Sequence, residues 1–425
     1  MDSAWQIGTL ANGLRVVTTP LLHAQSVNVN VFVGVGSRGE ERRINGITHF
    51  LEHMLFKGTE RFPTAQAVAE AIEGSGGVLN AFTSRELTCY WNQVPFDRAE
   101  TALEVAGELV LRPALSAEEL EKEKPVVQQE IRRTYDQPGA WAHELLSRAL
   151  FGDQPIGWSV AGDEQTVATM QRGDFLAHMG CWYGPTNLVL SVAGKITHEQ
   201  VMTLAERSFG DARGPRPPTF PPFDPAQPVT PVTVEDRPAN QQANLALGVR
   251  ALPRLDPDRH ALGVLTTLLG RGMSSRLFME VREKRGLAYS VGAGASRYQD
   301  TGAFVVSAGV GPGQAVEAVQ VITEQLRRVG QEPVCEDELH KARDFTAGSF
   351  RLGLEGTMAL GQRHGEQLLV QGFIEPPDEV VDRIQAVTAD DLQRVARRVF
   401  QPGSLAVAVV GPNPDADALG RAAWL

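Results

Sequence analysis

Valines alternate with other residues in SVNVNVFVGVG, which puts Val27, Val29, Val31, Val33 and Val35 on one face. This is the period-2 signature of a strand with one buried side. TGAFVVSAGV near residue 305 reads the same way. Elsewhere the spacing becomes helical: AETALEVAGELV from Ala99 and AVEAVQVITEQL from Ala315 are both amphipathic at about 3.6 residues per turn. A second pair shares one offset. DFLAHMGCWYGPTNLVLSVAG from Asp174 and DLQRVARRVFQPGSLAVAVVG from Asp391 align Tyr183 with Phe400, Pro185 with Pro402, Leu188 with Leu405 and Gly194 with Gly411. Each copy predicts a helix, a proline turn and an apolar strand ending at glycine. The chain therefore reads as a duplicated α+β unit. Each copy should be a largely antiparallel sheet covered by helices on one face, because strands and helical pairs occur without a regular βαβ rhythm.

The break between the copies is compositional. Residues 213–234 hold eight prolines, which lack an N–H donor and fix φ, so a stiff extended linker is expected. It divides the chain into an N-terminal domain, 1–212, and a C-terminal domain, 235–425. The 425 residues are 42% hydrophobic and 21% charged, enough for sizeable cores. No run of 18 apolar residues is present, so no membrane span is expected. The first residues lack a basic start followed by an apolar stretch, so neither a secretory signal nor an organellar presequence is expected. Three scattered cysteines, Cys89, Cys181 and Cys335, suit a reducing compartment and match no metal spacing. A net charge of −11 argues against nucleic acid as a partner.

The chemistry concentrates in THFLEHMLFKGTE, residues 48–60. On a helix, His49, Glu52 and His53 fall within an arc of about 100°, with the imidazoles one turn apart. Two such imidazoles can share a cation, and the carboxylate beside them can take a proton from a water held there. A catalytic zinc site needs a third protein donor. With 9 His and 51 acidic residues, a chance match is roughly 0.02, and an ordinary amphipathic helix carrying two histidines remains a second reading. The segment SAEELEKEKPVVQQEIRR offers the missing donor. Glu123 and Glu130 are seven residues apart and lie on one helical face with Val127. That arrangement fits a metal ligand and a supporting carboxylate; a solvated charged helix is the alternative. Pro125 is expected to kink or restart that helix.

Together these residues resemble the pitrilysin-type zinc peptidases, whose motif is H-x-x-E-H followed some 75 residues later by a liganding Glu. His53 and Glu130 are 77 apart here. The resemblance covers nearly the whole chain. It implies His49, His53 and Glu130 as ligands of one Zn2+ per chain, Glu52 as general base and acid, and Glu123 as the carboxylate behind the ligands. GGVLNAFTSRELTCYW is similar to the family's N-A-x-T strand. This implies that Asn80, Ala81 and Phe82 hold an extended peptide substrate at a sheet edge. SSRLFMEVREKRGLAYSV is similar to its Arg-x6-Tyr pair, here Arg282 and Tyr289, which would donate to the substrate carbonyl. The second half lacks H-x-x-E-H at the equivalent HALGVLTTLLGRG. The function implied is a cytoplasmic, bacterial-type zinc endopeptidase that degrades unfolded peptides or small polypeptides in a closed chamber. A homodimer is the default because both motifs share one chain, with a heterodimer as the variant. The alternatives are a non-catalytic structural or partner subunit of the same fold, and a peptidase that trims targeting sequences.

Overall fold

The computed structural model describes residues 5–425. The first sheet has six strands: β1 (Gln6–Thr9), β2 (Arg15–Pro20), β3 (Ser26–Val33), β4 (Val78–Thr83), β5 (Thr88–Pro95) and β6 (Leu188–Gly194), in the order β1-β2-β6-β3-β5-β4. Only the β2/β6 pair is parallel. The second sheet contains β7 (Val232–Asp236), β8 (Ala243–Ala251), β9 (Ala288–Arg297), β10 (Gly302–Val310) and β11 (Ala406–Gly411), in the order β7-β11-β8-β10-β9. Again one pair, β7/β11, is parallel. Without β1 the two orders correspond strand for strand, so the duplicated α+β architecture is present. β7 begins at Val232, so the end of the proline-rich stretch becomes an edge strand, the sheet position where proline-rich chain is tolerated.

The chain forms two compact units that depart from the halves on either side of the prolines. One comprises the chain up to Ile131, Trp158–Pro221 and Gly353–Glu375; the other comprises Arg132–Gly157, Pro222–Leu352 and Pro376–Leu425. Each half thus gives one helix to the other unit's sheet. In the first unit, Val27, Val29, Val31 and Val33 are fully buried, in one core with α1 (Ile47–Leu55), α2 (Ala65–Glu73) and α3 (Ala99–Leu111). The opposite face was expected to meet solvent. Instead Asn28, Asn30 and Phe32 are fully buried too, because the helix Thr357–Val370 lies on β3 and β6. Gly361 and Gly365 permit that close approach: a Cβ on Gly361 would stand 2.7 Å from Asn28 Oδ1 and Asn30 Nδ2, and one on Gly365 would meet the Phe32 ring. In the second unit, α5 (Pro138–Phe151) lies on β8 and β11, with Leu146 and Leu150 against Gly248.

Between α3 and α5 runs α4 (Ala117–Asp136), continuous through Pro125. The helix therefore does not restart at Pro125. Pro125 is on the exposed side of α4, while Leu120, Glu123 and Val127 are buried, so the missing N–H falls where its lost partner can meet water.

Candidate metal centre

The sequence of α1 explains its orientation. Ile47, Phe50, Leu51, Met54 and Leu55 recur at helical spacing and are buried, which turns His49, Glu52 and His53 the other way, each partly accessible. Gly46 precedes the helix at φ 97°, where a Cβ would strike the Ala161 carbonyl. Glu40 holds the helix start: its carboxylate accepts from the backbone N–H of Gly46 at 2.7 Å and of Thr48 at 2.9 Å, and from Asn45 Nδ2 at 2.8 Å. Full burial nonetheless pushes the Glu40 carboxyl up to about 7, against those donors.

His49, His53 and Glu130 come together. Their ligand atoms all lie within 4.8 Å of one another. The Glu130 carboxylate stands 3.7 Å from His49 Nε2 and 3.4 Å from His53 Nε2. The imidazole rings meet edge-on with centroids 4.8 Å apart. Donors about 2.0–2.1 Å from a tetrahedral zinc are about 3.3 Å from one another. The donor set and its spacing therefore fit Zn2+, and three protein donors leave one position open. Burial opposes a positive charge on His53, but Glu123 and Glu130 outweigh it and hold the imidazole up at about 9. Hydrogen bonds from His49 and then His53 hold Glu130 well below the usual carboxylate range, burial opposing.

Glu123 stands behind the donors. Its Oε1 is 3.0 Å from His53 Nδ1, and its Oε2 is 2.5 Å from Lys57 Nζ. Burial raises its pKa, but His53 and Lys57 more than offset this and the net direction is down. A carboxylate accepting at Nδ1 fixes the tautomer that leaves the Nε2 lone pair for a metal. His49 has no such support: its Nδ1 is buried without a hydrogen-bond partner.

Glu52 has a partner that sequence reading passed over. Thr83 Oγ1 donates to Glu52 Oε2 at 2.5 Å. β4, which carries Asn80, Ala81 and Phe82, pairs only with β5 and forms one edge of its sheet. Val78, Asn80 and Phe82 are exposed, whereas Leu79, Ala81 and Thr83 are half-buried. The Asn80 side chain accepts from the Ala81 N–H at 2.8 Å. Lys57 was missed as well, although it follows His53 by four residues, in the turn just past the end of α1. Arg282 and Tyr289 belong to the second unit. Arg282 lies in the helical turn Phe278–Glu283, its guanidinium 5.0 Å from the centre of the Tyr289 ring and 4.8 Å from that of Phe278. Tyr289, at the start of the edge strand β9, is 79% exposed. The two residues are brought together as a pair.

Comparison with known proteins gives the family. Residues 15–164 match the family model described as insulinase (peptidase family M16), and 169–345 match that of the peptidase M16 inactive domain. An uncharacterized zinc protease of Streptomyces coelicolor is 37% identical over 96% of this chain and 90% of its own length. This chain belongs to the M16 peptidase family. A second M16 relative, an uncharacterized zinc protease of Bacillus subtilis, is 35% identical over 95% of this chain and 98% of its own length. Among solved structures, a protease from Helicobacter pylori superimposes with a TM-score of 0.89 at 25% identity, covering 96% of this chain and all of that one. The M16 match supports the fold and the family, and the relatives' names point to zinc. Among the described residues no helix is long and apolar enough to cross a membrane.

Proposed function

We propose that this M16 chain is a zinc-dependent endopeptidase that hydrolyses unfolded peptides or small polypeptides, with one Zn2+ per chain held by His49, His53 and Glu130. The observation that carries this reading is the spacing of the three donors, with Glu52 between the two histidines on the same helix. Bound zinc would supply Lewis acidity and lower the pKa of a water molecule. Glu52 then takes a proton from the attacking water and delivers it to the leaving amine nitrogen. β4 holds the substrate as an added strand at Asn80, Ala81 and Phe82, using main-chain hydrogen bonds that are nearly blind to sequence. Arg282 and Tyr289 supply donors for the substrate carbonyl oxygen. A homodimer, or a heterodimer with a related chain, would close the chamber that restricts substrates to flexible chains, and the bacterial relatives support a cytoplasmic setting.

The test is metal content and turnover measured together. The purified chain should hold about one zinc and cleave an unfolded peptide in a chelator-sensitive way. Glu52→Gln should retain the zinc and lose cleavage by about 10²-fold or more. A zinc-free chain indifferent to chelators would point instead to a non-catalytic subunit of the same fold.

A further inference from the structure

The general base needs more than a place on α1. A glutamate has three rotatable bonds, and both of its carboxylate oxygens can face the same water. In this chain one oxygen is already engaged: Glu52 Oε2 accepts from Thr83 Oγ1 at 2.5 Å, and Oε1 has no hydrogen-bond partner among the described residues. Hydrogen bonds to a carboxylate are short and strong, so this contact can select one rotamer.

The hydroxyl is itself held rigidly. Thr83 is the last residue of β4, paired with Thr88 across a tight turn. Within the turn, the Ser84 N–H donates to the Leu87 carbonyl at 2.8 Å. The turn is docked on the segment before α1: the N–H of Ser37 donates to Ser84 O at 3.1 Å, and that of Arg38 to Arg85 O at 2.8 Å. The buried Arg38 and Glu86 side chains pair at 2.7 Å. The donor to Glu52 thus sits on a strand end fixed by main-chain bonds and a buried ion pair, the kind of support that holds a reactive group in place. Alternation along β4 turns Leu79, Ala81 and Thr83 one way and the exposed Val78, Asn80 and Phe82 the other.

We propose that Thr83 is the positioning residue for Glu52: its hydroxyl holds Oε2 so that Oε1 faces the water to be deprotonated. The same strand thereby presents the substrate edge and orients the base. The inference rests on the peptidase reading above. Thr83 acts on turnover through Glu52, and touches neither the metal donors nor the substrate.

Two substitutions separate hydroxyl from shape. Thr83→Val keeps the β-branched volume and removes the donor; Thr83→Ser keeps the donor and removes the methyl. With a fluorogenic unfolded peptide, Thr83→Val should lower kcat about 10–100-fold with KM little changed, and Thr83→Ser should stay close to the parent chain. Zinc content should be equal in all three. Affinity for the uncleaved peptide, measured by fluorescence anisotropy, should be the same in Glu52→Gln and in Glu52→Gln/Thr83→Val. The proposal is overturned if Thr83→Ser falls as far as Thr83→Val, if Thr83→Val keeps its kcat, or if it weakens peptide binding or empties the metal site. If the zinc-loaded parent chain cleaves nothing, the peptidase reading falls and the positioning role with it. If the parent cleaves and Thr83→Val matches it, only the positioning role falls.

Discussion

Replacing Glu123 by glutamine changes one atom and should cost most of the support that His53 receives. The carboxylate uses both oxygens as acceptors, Oε1 for His53 Nδ1 at 3.0 Å and Oε2 for Lys57 Nζ at 2.5 Å. An amide has one acceptor and one donor. If the amide nitrogen faces Lys57, two donors oppose each other beside an ammonium. If it faces His53, Nδ1 must become the acceptor, and the imidazole proton moves to Nε2, the atom that should bind the metal. The Glu123 side chain is only 8% exposed, so water cannot repair either mismatch. Loss of such a supporting carboxylate typically costs 10–100-fold in metal affinity, or about 1.4–2.7 kcal/mol. Competition against a fluorescent zinc chelator at fixed pH measures it. Adding Lys57→Met to Glu123→Gln should restore part of the affinity, because the amide nitrogen can then turn away from His53 without facing an ammonium. Unchanged affinity in Glu123→Gln, or a further loss in the double variant, would refute the reasoning.

Two more outcomes follow from the first unit. Gly365→Ala puts a methyl into the Phe32 ring and Ser191; overpacking of about 1–3 kcal/mol should outweigh the gain of about 1 kcal/mol in helix propensity, so a chemical melt should show destabilisation, and a more stable variant would mean the helix can shift. Glu40 has a folded pKa of about 7 against an ordinary 4.5, so the folded state binds the extra proton between these values; its contribution to stability is full below about pH 4.5 and is lost as pH rises through about 7. Glu40→Gln should flatten the fall of Tm between pH 5 and 8, and an unaltered slope would show that Glu40 does not titrate there.

Much of the candidate site was legible because helical geometry is local. The spacing of His49, Glu52 and His53 against Ile47, Phe50, Leu51, Met54 and Leu55 fixes which way α1 faces, and the seven-residue step from Glu123 to Glu130 fixes theirs on α4. Two supporting residues were within reach of the same logic. Lys57 follows His53 by one turn, a cation placed to meet any carboxylate that serves His53. Thr83 shares the parity of Ala81, so a strand with Asn80 and Phe82 outward had to turn the threonine towards the helix. A restart at Pro125 was expected because sequence shows the missing donor but not its side; on an exposed face the lost bond is cheap, and the helix runs on as one element.

The exchanged helices were not legible, for a different reason. Alternation in β3 marked Asn28 and Asn30 as solvent-facing, since nothing local signals a cover arriving from more than 300 residues away. That cover is specified by polar contacts. Thr19 Oγ1 meets His364 Nδ1 at 2.7 Å, Ser191 Oγ donates to the Gly361 carbonyl at 2.6 Å, and Asn30 Nδ2 donates to Asn28 Oδ1 at 2.6 Å. In both units a strand arginine reaches a carbonyl in the last turn of the exchanged helix: Arg15 Nη1 to Leu368 O at 2.8 Å, and Arg250 Nε to Leu150 O at 2.6 Å. Such contacts satisfy helix-end carbonyls that would otherwise be orphaned, and they set register where an apolar face alone would allow sliding. Buried amides and hydroxyls are costly without their partners, so the sheet that shares a core with α1 depends on Gly353–Glu375 for its second face. The proline-rich stretch is therefore a boundary in the sequence but not in the energetics of folding, and residues 1–212 alone lack a cover that their own fold requires.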